Sequence, residues 1–437
     1  MRSSLARAAV IGSTALLFLG PAVSVAQAQP DEPGVSDRAA HLPAELADAV
    51  QRDLHLSPDQ YLERSELAQR LAEFAKTARD RFPDSFAGVW IDQAGTPTVG
   101  LAAKDRDTAR TEVEKAGFTG KDVTHSQNQL DATRTALSNW VDKLPKELAQ
   151  LVRGVTVDIA SNDVVLRVDN TAVDLFTLLP PFLQEAARVV LGPAIAPLQP
   201  VEQPQPTAQY SSDAFLAGDP YASYGGGIGL KCSLGFNAID AGGAPVNISA
   251  GHCDPSRTFA GTEHASQAYS MIGDSSGPMI GTFEKTDLDG IDYSILRPTA
   301  DAAQRFVNNG VRVPNAAPLS ITGTADPVIG APVCKAGNTS GFNCGVVTAV
   351  HQVIPVGQRT LNDGFATDLC ALQGDSGGPI VTGTLALGIS SASNVGNYSS
   401  CDVAGVATTV MGETPELFAT PVNAILADNP GLTIRTS

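Results

Sequence analysis

The sequence predicts a chain in two parts, an α+β part followed by an all-β part. Apolar residues recur at helical spacing in much of residues 29–173, whereas short apolar strands separated by glycine-rich turns begin near Gly218. All six cysteines lie in the second half of the chain. At 437 residues the chain is too long for one ordinary domain, and its 43% hydrophobic content is ample for globular cores.

The N-terminus has the features of a secretory signal peptide. Arg2 and Arg7 precede or border an apolar stretch over residues 8–19, and the small-residue pattern Ala-Gln-Ala ends at Ala28. A membrane-spanning helix needs about 20 apolar residues, so this shorter stretch favours export over a membrane anchor. We therefore expect a signal peptide over residues 1–28.

Residues 29–173 alternate helical and strand-like patterns and contain no cysteine. The run Ser-Pro-Asp-Gln that begins at Ser57 is a capping box with proline at the first helical position, and it predicts a helix to about Arg79. The other predicted elements of this part are strands over 86–91 and 98–101, helices over 105–116 and 130–143, and a hairpin with strands over 155–159 and 164–168.

Residues 174–211 have the composition of a connection. An apolar segment is interrupted by the dipeptides Pro180-Pro181 and Gly192-Pro193. The proline- and glutamine-rich residues 197–209 follow it. The all-β part then occupies residues 212–437. A C-terminal helix is expected after Thr414, because Leu417, Val422 and Ile425 recur at helical spacing.

Three short motifs in the order His, Asp, Ser supply the residue types that acyl transfer needs. Ser376 lies in the run Gly-Asp-Ser-Gly-Gly-Pro, whose glycines allow a tight bend that exposes the hydroxyl and frees the amides of Gly374 and Ser376. Serine is a weak nucleophile at neutral pH and needs a histidine base oriented by a buried carboxylate. His252, in Ser-Ala-Gly-His-Cys, and Asp292, within the apolar alternation of residues 289–295, are the candidates.

Each of these assignments has a simpler alternative. A glycine-rich hexamer can be only a turn, and a histidine beside a disulfide can be only structural. Asp287 and Asp289 lie close to Asp292 in sequence, but only Asp292 falls within the apolar alternation. The remaining histidines lack such glycine and cysteine neighbours and are expected to be ordinary surface or core residues: His41, His55, His125, His264 and His351.

Taken together, the three motifs resemble those of the chymotrypsin-like serine peptidases, and residues 29–173 resemble the pro-region of the bacterial streptogrisin and alpha-lytic type. The resemblance implies two antiparallel β-barrels of the six-stranded type over residues 212–437, with the active site in the cleft between them. It also implies a pro-region that helps the peptidase fold, inhibits it and is then removed. An extended linker is accessible to proteases, so we expect the maturation cut between about residues 200 and 222.

The resemblance also assigns roles to the motif residues. Ser376 attacks the scissile carbonyl, His252 transfers its proton to the leaving amine, and Asp292 orients the imidazole. The amides of Gly374 and Ser376 form the oxyanion hole. Losing one such donor typically costs roughly 100- to 1000-fold in rate, so the glycine spacing is part of the chemistry.

Asp375 is expected to be buried beside the nucleophile, where an unpaired carboxylate is costly. The run from Val333 to Gly341 resembles a bacterial motif in which a basic residue after a cysteine pairs with this aspartate, and here Lys335 stands where arginine is usual. Lysine cannot form the bidentate pair, and an ordinary exposed lysine is the alternative. An internal cation would make the site independent of a freed N-terminus, so activation would come from removal of the pro-region.

In an exported protein the six cysteines indicate a disulfide framework confined to the second half of the chain. The cysteine and histidine spacings do not fit a zinc site, and the residues alone leave the pairing open. The resemblance implies the pairs Cys232 with Cys253, Cys334 with Cys344, and Cys370 with Cys401.

The resemblance places the substrate pocket beside the serine loop and along one strand, at Ala371, Leu372, Ser390, Ser391, Ala392 and Ser393. The small Ala371 and Ser390 favour an apolar substrate side chain, and Ala392 and Ser393 replace the usual pair of glycines. Asp368 is the alternative, because it lies two residues before Cys370, as the aspartate that selects basic side chains does in trypsins.

The net charge of −17 argues against a nucleic-acid or anionic-membrane partner. We therefore predict a secreted, monomeric serine endopeptidase that acts on protein or peptide substrates, has its own pro-region as partner, and needs no cofactor or metal. One alternative is a catalytically silent peptide-binding module on the same fold. Another is that residues 30–211 persist as an independent interaction domain after secretion.

Overall fold

The computed structural model describes residues 34–102, 106–169, 179–192, 196–197, 213–272, 275–356, 359–410 and 413–437. The predicted signal peptide and most of the predicted linker lie outside these residues. We call residues 34–197 the N-terminal part and residues 213–437 the C-terminal part. No helix within the described ranges has both the length and the apolar character that a membrane span requires.

The helices of the described residues lie mainly in the N-terminal part. The longest begins at the predicted capping box, where the Ser57 side chain accepts from the Gln60 amide and the Gln60 side chain accepts from the Ser57 amide. The helices are α1 (Val35–Ala39), α2 (Ala44–Ala49), α3 (Pro58–Arg81), α4 (Arg106–Lys115), α5 (Gln127–Val141), α6 (Lys146–Ala149), α7 (Pro181–Ala186), α8 (Cys401–Val410) and α9 (Val422–Asp428).

Strands are the main secondary structure of the C-terminal part, and the N-terminal part contributes seven of those described. They are β1 (Phe86–Ile91), β2 (Pro97–Leu101), β3 (Thr119–Asp122), β4 (Val152–Asp158), β5 (Asp163–Asp169), β6 (Ala187–Gly192), β7 (Ala196–Pro197), β8 (Pro220–Gly225), β9 (Ile228–Ser233), β10 (Asn237–Ile239), β11 (Pro245–Ser249), β12 (Gln267–Ile272), β13 (Ser275–Asp287), β14 (Tyr293–Pro298), β15 (Gly310–Val311), β16 (Leu319–Ser320), β17 (Gly323–Thr324), β18 (Pro332–Gly337), β19 (Gly341–Val356), β20 (Arg359–Thr367), β21 (Pro379–Thr382), β22 (Leu385–Ser393), β23 (Leu417–Pro421) and β24 (Thr433–Ile434).

An eight-stranded sheet is formed entirely by the C-terminal part. Its strand order is β24-β10-β11-β14-β13-β12-β8-β9, and its pairings are antiparallel. His252 follows the end of β11, and Asp292 immediately precedes β14. Because β11 and β14 are neighbours, this sheet brings the two side chains together.

An eleven-stranded sheet contains strands from both parts of the chain. Its main order is β18-β21-β22-β23-β20-β19-β4-β5-β6, with β7 and β17 also paired to β22. The hairpin of β4 and β5 joins at β19, where Val353 lies opposite Val155. The predicted hairpin is confirmed, and its outer strand also pairs in parallel with β6.

Apolar packing and hydrogen bonds join the N-terminal part to this larger sheet. One buried cluster contains Leu71 and Val155 together with Val347 and Phe365. Hydrogen bonds also cross between the parts. Among them, the Ile91 amide donates to the Ile329 carbonyl at 2.8 Å, the Cys344 amide to Asp53 Oδ2 at 2.9 Å, and the Gly383 amide to Tyr61 Oη at 3.0 Å.

The structure differs from the sequence prediction at the C-terminal helix. Residues 417–421 form β23 between β20 and β22, and the helix α9 begins only at Val422. The helix predicted from Leu417 onwards is wrong for residues 417–421, because backbone pairing to two neighbouring strands outweighs a short local pattern. Residues 187–192, within the predicted connection, form β6.

Candidate active site

His252 lies in a single helical turn after β11 and contacts Asp292 through both backbone and side chain. His252 Nδ1 is 2.8 Å from Asp292 Oδ2, and the His252 amide donates to Asp292 Oδ1 at 3.0 Å. The Ser391 hydroxyl on β22 also donates to Asp292 Oδ2. Asp292 is only 2% exposed, so these bonds satisfy a carboxylate that water does not reach.

The two other aspartates near Asp292 are arranged differently. Asp287 Oδ1 accepts from the Asp289 amide at 2.8 Å, which is a local turn contact. The Asp289 side chain is 94% exposed and lies 3.7 Å from Arg257. Among the three aspartates, Asp292 is the one that contacts the His252 ring.

The serine loop between β20 and β21 has a backbone that only glycine fits at two positions. Gly374 has φ +96°, and a Cβ there would lie 2.4 Å from Thr339 Oγ1. Gly377 has φ +81°, and a Cβ there would lie 2.1 Å from Ser249 Oγ. Ser376, between them, is fully buried. His252 Nε2 is also buried and has no hydrogen-bond partner among the described residues, so this ring atom is available to a hydroxyl or a substrate.

Asp375 and Lys335 form an ion pair in which neither side chain is exposed. Lys335 Nζ lies 3.2 Å from Asp375 Oδ2. The carboxylate also accepts from three amides and one hydroxyl: Leu372 N at 2.8 Å, Thr339 N at 2.8 Å, Ser340 N at 3.0 Å and Ser340 Oγ at 2.5 Å. Lys335 thus supplies a single-point cation, and backbone amides supply the remaining bonds.

Ser233, at the end of β9, connects the eight-stranded sheet to the serine loop. Its hydroxyl donates to the Gly374 carbonyl at 2.9 Å and accepts from the Asn338 amide at 3.0 Å. Its own amide donates to the Ser376 carbonyl at 2.9 Å. Ser233 was not identified from the sequence, because its partners Gly374 and Asn338 are far from it along the chain.

Three disulfides surround the site, and they are the pairs that the resemblance implies. Cys232–Cys253 lies beside His252, Cys334–Cys344 bridges β18 and β19, and Cys370–Cys401 joins the serine loop to α8. Within the described ranges, no group of three or more His, Cys, Asp or Glu side chains is placed to hold a metal ion.

The predicted substrate-pocket residues lie together on β22 and at the start of the serine loop. Ala371, Ser390, Ala392 and Ser393 are all fully buried. Ser390 Oγ has no hydrogen-bond partner among the described residues. Asp368, by contrast, is an exposed residue whose Oδ1 accepts from the Val346 amide at 2.6 Å. Although the residue as a whole is exposed, its carboxyl group is partly desolvated, and this raises the pKa of Asp368.

Strand β7 of the N-terminal part pairs with the end of β22 that carries the predicted pocket residues. Pro197 lies opposite Ala392 and Ala196 lies opposite Ser393, in an antiparallel register. Two residues before Ala392 on β22, the Ser390 carbonyl accepts from the Gly377 amide at 2.9 Å. An extended segment of the chain therefore runs along β22 beside the serine loop.

Comparison with known proteins identifies the class. Streptogrisin-C of Streptomyces griseus is 27% identical over 446 aligned residues, which cover all of this chain and 86% of that protein. Serine protease 2 of Streptomyces fradiae is 33% identical over 192 residues, which cover 44% of this chain and 99% of that protein. Thermobifida fusca protease A, a solved structure, is 28% identical with a TM-score of 0.40 and covers 51% of this chain and 100% of its own. No family model matches the chain.

The protein is therefore a serine-type endopeptidase, a hydrolase that acts on protein or peptide substrates. It belongs to the streptogrisin-type chymotrypsin-like serine peptidases.

Proposed function

We propose that Ser376 is the nucleophile, His252 the general base and acid, and Asp292 the carboxylate that orients the imidazole. The observation that carries this proposal is the contact of His252 Nδ1 with the buried Asp292, which leaves Nε2 for the serine hydroxyl. The acyl-enzyme forms when Ser376 Oγ bonds to the substrate carbonyl carbon. His252 passes the serine proton to the leaving amine, and water then hydrolyses the ester.

The amides of Gly374 and Ser376 stabilise the oxyanion in this proposal. The positive φ of Gly374 and the bond from Ser233 to its carbonyl support a fixed loop, because donors that are already oriented need no rearrangement during reaction. The internal Lys335–Asp375 pair supports a site that forms without a newly freed N-terminus. Activation then depends on exposing the cleft.

The N-terminal part acts as an inhibitory pro-region that also assists folding. Support comes from β7, which occupies the edge of β22, and from the fully buried state of Ser376 in the whole chain. A substrate that needs this edge must displace residues 196–197. Removal of the N-terminal part frees it.

The proposed precursor has a signal peptide over residues 1–28 and a pro-region over 29–173. Residues 174–211 form the connection, whose strand β6 extends the pro-region sheet, and the maturation cut lies between about 200 and 222. The peptidase, residues 212–437, consists of two antiparallel β-barrels and is secreted as a monomer. The small buried Ala371 and the exposed position of Asp368 favour an apolar substrate side chain before the scissile bond.

Single substitutions test the catalytic roles. Ser376→Ala and His252→Ala each lower kcat/KM for a peptide substrate by about 10⁴-fold or more, and Asp292→Asn lowers it by about 10⁴-fold. Asp289→Asn is the matched control and retains wild-type turnover. Wild-type protein that binds peptides without hydrolysing them, or Ser376→Ala protein with full activity, contradicts the proposal.

A further inference from the structure

The carboxylate of Glu416 contacts a guanidinium from the N-terminal part. Arg167 Nη1, on β5, lies 2.5 Å from Glu416 Oε2, in the loop before β23. The Glu416 side chain is 16% exposed and that of Arg167 is 35% exposed, so the contact is partly shielded from water. The structure thus places a cation directly on this carboxylate.

Glu416 is fixed relative to the edge of β22. Its amide donates to Asn394 Oδ1 at 2.7 Å, and the Asn394 amide donates to the Glu416 carbonyl at 3.1 Å. Asn394 Nδ2 also donates to the Thr414 carbonyl at 3.0 Å. Asn394 directly follows β22, so three hydrogen bonds hold the Glu416 loop at the end of that strand.

The register of β7 tells which end of a bound peptide reaches this loop. Pro197 lies opposite Ala392 and Ala196 lies opposite Ser393, while the serine loop adjoins Ser390. In a peptide that binds in this direction, the residues nearer the C-terminus therefore lie nearer Ser376. Residues that come before the one opposite Ser393 run towards Asn394, which is the side N-terminal to the scissile bond.

The surroundings of Glu416 favour a cation once Arg167 has left. Two effects raise the pKa of the Glu413 carboxyl: desolvation by burial is the larger, and repulsion by the nearby charge of Glu416 is the second. Arg167 opposes this effect. Removal of the N-terminal part takes away the Arg167 charge and leaves two neighbouring acidic groups, between which a positive charge is stabilising.

We propose that Glu416 forms a substrate subsite that binds a basic side chain on the N-terminal side of the scissile bond, and that Arg167 fills this subsite in the precursor. The proposal rests on the proposed function, because it requires both hydrolysis at Ser376 and removal of the N-terminal part. Glu416 is a specificity residue in this account and takes no part in the chemistry.

The test measures a preference ratio on peptidase purified after expression of the full chain. Fluorogenic peptides carry arginine or its neutral isostere citrulline at the third, fourth or fifth residue before the scissile bond. We expect the wild-type enzyme to cleave the arginine peptide about three- to tenfold faster, by kcat/KM, at one of these positions. Glu416→Gln brings that ratio close to one, and high salt reduces it in the wild type.

Two controls separate the outcomes. Glu284→Gln, which removes an exposed carboxylate that pairs with Arg297, retains the wild-type ratio. Titration with a serine-directed phosphonate corrects every rate for the folded fraction. Equal cleavage of both peptides by wild type at all three positions, or an unchanged ratio in Glu416→Gln, overturns the subsite. Failure to hydrolyse any peptide and to react at Ser376 contradicts the proposed function instead.

Discussion

The two large sheets differ in where their strands come from. The eight-stranded sheet, which positions His252 and Asp292, uses only residues 220–434. The eleven-stranded sheet, which includes the strands on both sides of the serine loop, takes β4, β5, β6 and β7 from the N-terminal part. One half of the site is therefore built by a single segment of chain, whereas the other half is completed by residues that we propose are later removed.

Under the proposed function, this difference means that folding assistance and inhibition both act through the same sheet. At one end, β4 pairs with β19 and extends the sheet, while near the candidate site β7 pairs with the edge of β22 that we propose binds substrate. The core shared by Leu71, Val347 and Phe365 joins the two parts between these points. We therefore propose that the residues that help the serine-bearing half to fold also block it until they are removed.

The largest effect is expected from removing the N-terminal part. A chain that lacks residues 29–197 leaves the β19 edge unpaired and exposes part of a shared core, so we expect recovered activity to fall by about two orders of magnitude or more. Adding residues 29–197 as a separate polypeptide during refolding restores it. Active-site titration of the refolded protein measures both results, and full activity without these residues would remove the basis of the comparison.

A large effect is also expected from breaking the buried ion pair on the serine side. Lys335→Met leaves Asp375 as an uncompensated buried charge and lowers the free energy of unfolding by about 3–5 kcal/mol. The matched change on the other sheet is Lys285→Met, since Lys285 pairs with Asp428 at 2.9 Å with both side chains at least 40% exposed. That change costs under about 1 kcal/mol. Equal losses in thermal unfolding would show that the Lys335–Asp375 pair is not the stronger constraint.

Ser233 connects the two sheets, and its substitution is expected to lower the chemical rate. Ser233→Ala removes the hydroxyl that contacts the Gly374 carbonyl and the Asn338 amide, so kcat falls about tenfold while KM changes little. Thr382→Val removes a buried hydroxyl that donates to the Pro332 carbonyl, and it serves as the control. A change confined to KM or to stability in Ser233→Ala would show that the residue does not position the oxyanion loop.

The smallest expected effect concerns the pH dependence of the contact between the two parts. Desolvation raises the pKa of Tyr61, whose hydroxyl accepts from the Gly383 amide. In the free N-terminal part, Tyr61 ionises near its ordinary pKa of about 10, which is below its pKa in the complex. Its contribution to the affinity between the two parts is therefore complete below about pH 10 and is lost as the pH rises further.

The complex between the N-terminal part and Ser376→Ala peptidase should weaken as pH rises above about 10. In Tyr61→Phe, we therefore expect its Kd to rise less steeply with pH. We expect a difference of a few-fold in the slope of Kd above pH 10, measured by titration calorimetry. Identical slopes for Tyr61→Phe and the unsubstituted complex would contradict a role for this hydroxyl.

The sequence predicted those helices and strands whose bounds depend on residues close together in the chain. The Ser57 capping box marked the start of α3, and alternation in residues 155–168 marked the hairpin. The pairing of that hairpin with Val353 could not be predicted, because the contact joins residues far apart in sequence. Strand β23 was misread as helix for the same reason.

The candidate site was predictable where a motif carried it. Two of the motifs supplied His252 and Asp292, which contact each other, and the resemblance supplied the disulfide pairs and the Lys335–Asp375 contact. Ser233 and Glu416 were not predictable, because single polar residues acquire meaning only through their neighbours in the fold. The exposure of Asp368 likewise depends on β19, whose Val346 amide it contacts.

The most direct test compares the reactivity of Ser376 before and after maturation. Intact-mass analysis follows a serine-directed phosphonate on the full-length precursor and on the secreted fragment, with Ser376→Ala as control. We expect one adduct at Ser376, and only on a fragment that begins between about residues 200 and 222. Equal labelling of the uncut precursor, or a secreted full-length chain that takes up no reagent, would contradict an endopeptidase held inactive by its own N-terminal part.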